Sequence, residues 1–542
     1  CHHLLESNRQ QRSSDELMPR LRTRFDMPWP NLGIVEATGY ETQPRNSTAE
    51  CQNVRAWEPS TGRSRGGQRA GLAKYVNART ADGKVQDIGQ VVARTTPANQ
   101  AEVGSRSVVS YAVTNGTVAK FTTSGFTTAT NGSGALSSTV PAIFSTELFG
   151  VVYFADGASV KQYTASTNTV AAWSASSGTL PIDSGNEPRL IETWRGRIVQ
   201  SGISSDPHNW YMSAVGDARN WNYSPADPSA TQAVAGNNAE AGKSQDIINA
   251  MCPYNDDVLL IFGDHSIWQM TGDPAEGGRL DLVSSTIGAP FGRPYCKSPE
   301  GIVYFFGSRG GVYQMQPGAP PQNISEKQIP ERLNAYNADT TSVRMVWSDV
   351  ERGFYVFLTP LAGGATTNYF YDVRNQSWWP DKFATAAHNP VSVHTFDGDL
   401  AADRTVLIGG QDGYVRKFDY TTPAVADDGV AIDSLVYLGP VQLQNRPKIM
   451  LTDLKAAMAT GSSDVDFTVY ASETAQLAEA SASGVTAFSG VWSAGRNKSE
   501  RRRAMGHDIY IKIRNDDNSE GWAYEFLGIE LNSFDGPRGR QW

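Results

Sequence analysis

Val258-Leu259-Leu260-Ile261-Phe262, Gly263-Asp264-His265, Ser266-Ile267-Trp268-Gln269-Met270: a continuous apolar run, a short polar turn, and a second β-prone run carrying an aromatic. The same template returns in Ile302-Val303-Tyr304-Phe305-Phe306, Gly307-Ser308-Arg309-Gly310, Gly311-Val312-Tyr313-Gln314-Met315. Runs of this length, rich in β-branched and aromatic residues and bounded by Gly, Asp and Ser, read as β-hairpins. Because the first run of each pair is apolar at every position, its strand is expected to be buried on both faces of its sheet.

Working outward, Val151-Val152-Tyr153-Phe154 with Val160-Lys161-Gln162-Tyr163 fits the template, as does Val406-Leu407-Ile408 with Tyr414-Val415-Arg416-Lys417-Phe418. Looser copies lie at 108–121, 197–211 and 354–371. The first strands then start near residues 109, 151, 197, 258, 302, 354 and 406. That spacing is close to the ~40–50 residues of a four-stranded propeller blade, with loop insertions filling the longer steps. A lone hairpin is marginal in water, whereas stacked blades bury each other's faces and leave only short edges. The expected fold class is therefore all-β: a β-propeller of six to eight blades, with a series of separate β-sandwiches as the rival arrangement.

Composition agrees with sheet and turn. The 542 residues include 51 Gly, 28 Pro, 13 Trp, 21 Tyr and 20 Phe, with no long segment of helical period. No run of about 18 apolar residues offers a membrane-spanning helix. The first residues, Cys1-His2-His3-Leu4-Leu5-Glu6, carry neither an initiator Met nor a basic-then-apolar leader, so the numbering is expected to start within a longer chain. Cys1, Cys51, Cys252 and Cys296 are too scattered for a disulfide framework or a zinc site and read as free thiols.

Three parts are expected. Residues 1–80 form a polar, basic N-terminal arm with the first strand, residues 81–430 the propeller, and residues 431–542 a C-terminal β-sandwich-like module. The arm either orders on contact with a partner or remains a solvated leader. The terminal module shows strands at Leu435-Val436-Tyr437-Leu438, 465–470, 509–513 and 526–531, and alternation over 508–514 implies one wet and one packed face.

Motifs for chemistry fail on context. Gly62-Arg63-Ser64-Arg65-Gly66 has the letters of a nucleophile elbow but no apolar strand before it. The stretch from Gly236 to Gly242-Lys243-Ser244 is one residue too long for a phosphate loop, and HExxH is absent. Asp397-Gly398-Asp399 with Asp403 lacks the full calcium-loop series and reads as a turn. His265 reads as an exposed turn residue. Trp210, Trp221, Trp378 and Trp379 follow polar turns and are expected to plug gaps between blades rather than stack on sugars. The chain is thus expected not to be an enzyme and to need no cofactor or metal.

Net charge is −9, which argues against a protein whose main task is gripping phosphate backbones, though an acidic wall suits DNA that must slide past. Basic clusters stand out against this background. Arg65, Arg69, Arg501, Arg502, Arg503, Arg538, Arg540 and the terminal Trp542 are the candidate partner-interface residues, able to dock an acidic partner or a phosphate.

The phrase Arg65-Gly66-Gly67-Gln68-Arg69-Ala70-Gly71-Leu72-Ala73-Lys74-Tyr75 resembles the start of tail nozzle (tail hub, tail tubular B-like) proteins of short-tailed bacteriophages. So do Ser213-Ala214-Val215-Gly216-Asp217-Ala218-Arg219-Asn220-Trp221, the hairpins at 258–270 and 302–315, and Leu527-Gly528-Ile529-Glu530-Leu531 before an Arg/Gly-rich end. The resemblance covers roughly residues 60–320 and, more faintly, the C-terminal module.

It implies a structural protein of the virion tail, made in the host cytoplasm. Six copies would form a ring below the portal adaptor, anchor tail spikes or fibres, meet a needle or plug protein, and let viral DNA pass without sequence-specific binding. Two alternatives stand beside it: a glycan-binding or glycan-cleaving propeller, and another phage tail or baseplate component.

Overall fold

The computed structural model describes residues 22–534 apart from 95–105, 184, 399, 401–402, 421–425, 444 and 477–485. Most of its strands gather into seven blades, antiparallel apart from one pairing in the seventh, and a two-sheet sandwich.

Blade 1 comprises Val85–Arg94, Arg106–Thr114, Thr117–Thr122 and Gly125–Thr128, and blade 2 Phe144–Leu148, Val151–Ala155, Val160–Thr164 and Thr169–Ala172. Blade 3 follows as Leu190–Trp194, Arg197–Ser201, Trp210–Met212 and Val234–Ala235, and blade 4 as Ile248–Pro253, Val258–Gly263, Ile267–Thr271 and Arg279–Ser284. Tyr295–Lys297, Val303–Phe306, Val312–Met315 and Gln322–Asn323 make blade 5, and Thr341–Ser348, Gly353–Pro360, Thr367–Asp372 and Ser377–Lys382 make blade 6. Each of the seven hairpins picked out by sequence is the middle pair of strands of one blade. The expected double burial holds: every residue of Val258–Gly263 and of Val303–Phe306 is buried.

Blade 7 is built from both halves of the chain. Ser392–Phe396, Thr405–Gly409 and Val415–Asp419 come from the end of the repeat, and Gly71–Lys74 supplies the next strand, with Lys417 opposite Ala73 and Phe418 opposite Leu72. Ala426–Asp427 and Val430–Ala431 extend the sheet on the far side of Gly71–Lys74. The first strand of blade 7 also meets that of blade 1, which closes the ring. Closure by a strand from the opposite end of the repeat removes a free edge and ties the two ends together.

In the sandwich, one sheet orders Arg22–Asp26, Tyr524–Phe534, Lys448–Met458 and Gly495–Arg496, with Ala504–Gly506 also on Lys448–Met458. The other orders Cys51–Gln52, Ser434–Val441, Asp508–Asn515, Val465–Ser472 and Thr486–Trp492. Ile509, Ile511 and Ile513 point into the core as the alternation requires. The face expected to be wet is wet only in part: Tyr510 packs edge-on to Tyr437, and only Lys512 and Arg514 are partly open.

Among the described residues the N-terminal segment is anchored to the rest of the chain at several points, with exposed turns between them. Arg22–Asp26 and Cys51–Gln52 each add a strand to one sheet of the sandwich, and Gly71–Lys74 then enters the propeller. The partner that orders this arm is the rest of its own chain. One apolar cluster consequently runs from Leu451, Phe467 and Leu531 through Val54 and Trp522 to Phe354 and Trp378 of blade 6.

Trp29 sits at this joint, stacked on Trp379 with ring centroids 6.5 Å apart and edge-on to Trp522 at 5.9 Å. Gly66, at φ +77°, passes beneath it, and a Cβ there would lie 2.0 Å from the Trp29 ring. Only glycine fits both the left-handed backbone and that approach.

Candidate functional site

The first strands of the blades meet one another around the propeller axis, and several of them carry polar or charged residues among apolar ones: Ser145 and Glu147 in blade 2, Glu192 in blade 3, Arg344 in blade 6, His394 in blade 7. Arg293, just ahead of the first strand of blade 5, crosses the axis. Its Nε donates to Glu192 Oε1 at 2.6 Å, and its Nη2 donates to the carbonyls of Ser145 at 2.7 Å and Ile191 at 3.2 Å. Tyr295 donates to the same Glu192 oxygen at 3.1 Å.

Arg344 reaches across from blade 6 and lies 4.6 Å from the centre of the Phe144 ring of blade 2. On the remaining side, Ser145 Oγ donates to Asp87, and Tyr111 and Ser145 share a hydrogen bond of 2.7 Å. The axis of a single propeller is therefore plugged by side chains.

Desolvation dominates the electrostatics of this plug. Burial pushes the Asp87 carboxyl up to about 6, against the opposing pull of Arg293 and its hydrogen bond from Ser145. His394 is pushed down to about 4 by burial and by Arg293, and its Nε2 is buried with no hydrogen-bond partner among the described residues. Arg344 is lowered to about 10, first by burial and then by the like charge of Arg293. Glu192 is raised by burial, which outweighs Arg293 beside it.

At the entry ends of these strands the plug floors a cavity of about 180 Å³. Phe144, Phe291, Tyr336 and Arg344 line it, with Arg189 at its rim.

The residues singled out by sequence fall elsewhere, and one of them is corrected. Arg69 is not a partner-facing residue: its side chain is fully buried, bonded to Asp427 through Nη1 at 2.9 Å and Nη2 at 2.6 Å and to Asn53 Oδ1 through Nε at 2.9 Å. Arg65 is likewise taken up by the joint, paired with Glu58 at 2.6 Å and with Glu525. Arg69 meets a buried carboxylate that folds back from distant sequence, whereas Arg65 meets one close in sequence, Glu58, and one from the sandwich, Glu525.

Arg501, Arg502 and Arg503 are exposed on the sandwich, with Arg502 donating to the Ser489 carbonyl at 3.1 Å. Arg538, Arg540 and Trp542 lie outside the described residues, as does Asp399. His265 is exposed and pairs with Asp264 at 2.8 Å. Trp210, Trp221, Trp378 and Trp379 are fully buried and donate to Gly242 O, Ala218 O, Ile324 O and Ser377 Oγ respectively, as a structural role requires.

Ser64 lies in an exposed turn, and Lys243 is paired with Asp206 at 2.8 Å. Cys51, Cys252 and Cys296 are buried and unpaired. Among the described residues, no group of three or more His, Cys, Asp or Glu is placed to hold a metal.

Sequence reading missed Asp87, Glu192, Arg293, Arg344 and His394. Their one local signal is a titratable residue inside or just ahead of the short run that precedes the hairpin, as in Leu190-Ile191-Glu192-Thr193-Trp194.

No family model matches the chain, and no curated protein matches it in sequence. Among solved structures it is similar to the extracellular domain of a protein of B. thetaiotaomicron, solved under two descriptions. As a one-component system, that domain matches at 10% identity and a TM-score of 0.41, over 82% of this chain and 61% of the other. As a hybrid two-component system, it matches at 10% identity and a TM-score of 0.42, over 82% and 59%. The chain thus spans about three fifths of the length of the structures it matches.

Proposed function

We propose that this chain is a structural subunit of the tail nozzle of a short-tailed bacteriophage, one of six copies in a ring below the portal adaptor that continues the DNA channel and anchors tail spikes or fibres. The observation that carries the reading is where the resembling phrase falls. Residues 65–75 are the joint of the molecule: Arg65 and Arg69 pair across it, Gly66 passes under Trp29, and Gly71–Lys74 closes the propeller. A ring subunit has to hold two domains at a fixed angle while force and DNA pass by, and this segment locks them around one shared core.

The plugged axis constrains the proposal. With Arg293 and Arg344 spanning it, DNA passes through an opening between copies and not through any single propeller. The net charge of −9 suits the wall of such an opening, since it offers no adhesive phosphate-binding surface. Each subunit contact is expected to bury ~1,000 Å² or more for the ring to persist. Native mass measurement and electron microscopy of the assembled tail test the reading. A six-fold ring at the head–tail junction is the expected result, and a monomer persisting in the assembled particle overturns it.

A further inference from the structure

Four arginines of this chain are buried almost completely in the company of carboxylates. Arg55 holds Asp381 at 2.6 Å and Glu351 at 3.0 Å, Arg69 holds Asp427 at 2.6 Å, Arg416 holds Asp412 at 2.6 Å and Asp428 at 2.9 Å, and Arg197 faces Asp273 at 3.3 Å. Arg344 is the exception. It is 5% exposed, and among the described residues no carboxylate pairs with it. Its Nε is used on the Val391 carbonyl at 3.1 Å, while Nη1 is buried without a hydrogen-bond partner among the described residues.

Among the groups nearby, Asp87 attracts its charge without forming an ion pair with it. Arg293 adds a like charge, with its guanidinium 5.7 Å from the same Phe144 ring, and Glu192 is held by Arg293 and Tyr295. Asp87 takes its hydrogen bond from Ser145. Asp156, the carboxylate on the cavity wall, is committed to the backbone N–H of Ser137, Ala158 and Ser159 at 2.8, 2.9 and 2.6 Å. A buried cation left uncompensated costs several kcal/mol, which is why such charges are paired or bind a counter-ion.

Gly292 packs against Nη1 at φ +117°, where a Cβ would lie 2.7 Å from that nitrogen, so the glycine makes room for the guanidinium itself. The cavity of about 180 Å³ opens over Arg344 between Phe144 and Phe291, the latter 42% exposed at the rim. Val140, Tyr336 and Leu361 make the rest of its wall largely apolar. A dry cavity of about 150 Å³ accommodates a benzene ring, so this volume suits a ring-sized molecule. A single guanidinium on the floor and largely apolar walls above it match a carboxylate on an apolar body better than a compact polyanion, which needs several donors.

We infer that the axial cavity binds a small organic carboxylate, the carboxylate accepting from the Arg344 guanidinium and the ring or chain behind it packing between Phe144 and Phe291. The site is independent of the nozzle reading, because it lies within one propeller.

Isothermal titration of the full chain with benzoate, benzyl alcohol and inorganic phosphate at neutral pH tests it. Benzoate is expected to bind at one site per chain, roughly tenfold or more tighter than benzyl alcohol, since a charge-assisted hydrogen bond contributes on that scale. Arg344→Met should abolish benzoate binding while leaving thermal stability unchanged or higher, because it removes an unpaired buried charge. Ala338→Trp, at an exposed position on the cavity wall, should block binding with Arg344 in place. Absence of saturable benzoate binding, equal binding of benzyl alcohol, or undiminished binding by either variant overturns the inference. Phosphate binding as tight as benzoate overturns the assignment to an organic carboxylate.

Discussion

Arg69 shows what a charge means in this chain. Read in the sequence beside Arg65, it has the look of a surface cation, yet its partner Asp427 stands 358 residues away and the pair is fully buried. The two form a bidentate pair, and the guanidinium also lies 5.1 Å from the Phe383 ring. Pairs of this kind contribute little net stability compared with apolar packing, but removing one partner strands the other in a low dielectric. Asp427→Ala is therefore expected to destabilise the protein by about 3–5 kcal/mol in urea unfolding. Asp427→Asn, which keeps the shape and one acceptor, should cost less. Equal losses for the two would show that shape and not charge decides the site. Arg501, exposed on the sandwich, offers the contrast: its replacement by Ala should stay within about 0.5 kcal/mol of the parent.

Among the elements, the closing strand is where a local reading had least to work with. The middle strands of the blades were legible because both faces are buried and the residues are apolar throughout, as in Val258–Gly263. First strands escaped because they line the axis and carry polar residues, Phe144-Ser145-Thr146-Glu147-Leu148 being typical. Fourth strands such as Val234–Ala235 and Gln322–Asn323 are too short to leave a period at all. Gly71–Lys74 pairs with Val415–Asp419, a register that no window of sequence contains, so the arm looked unattached. The site was less legible than the fold for the same reason: Arg293, Glu192 and Arg344 come from three blades and meet only at the axis. The strand itself is open to test. Ala73 lies in the interior of the blade 7 sheet, flanked by Val415–Asp419 on one side and Ala426–Asp427 on the other. A proline there disrupts an inner strand, where proline is not tolerated. Ala73→Pro should lower hydrogen-exchange protection by roughly tenfold or more in blades 7 and 1, where the ring closes, while Asp508–Asn515 in the sandwich keeps its protection. Uniform loss across both domains would instead mean that propeller and sandwich unfold as one unit.

At the scale of the molecule, the plug ties opposite blades together through groups whose ionisation responds to pH in opposite directions. His394 is held down to about 4 by burial and Arg293, so its neutral form contributes stability that is complete above the unfolded value of ~6.5 and is lost as pH falls towards 4. Asp87 is held up to about 6 by burial, so its neutral form contributes stability that is complete below the unfolded value of ~3.9 and is lost as pH rises through 6. Between these limits acidification weakens the plug through His394 and strengthens it through Asp87, and the two trends offset each other. Removing one exposes the other. His394→Gln eliminates the acid-side loss and keeps the Asp87 gain, so the variant should become more stable relative to the parent as pH falls from 7 to 4.5. The difference should approach about 2 kcal/mol, allowing for the partial exposure of the His394 residue. Denaturant midpoints of both proteins across that interval measure it: curves that diverge below about pH 6.5 are expected, and parallel curves would show that the imidazole takes up its proton in the folded propeller as readily as in the unfolded chain.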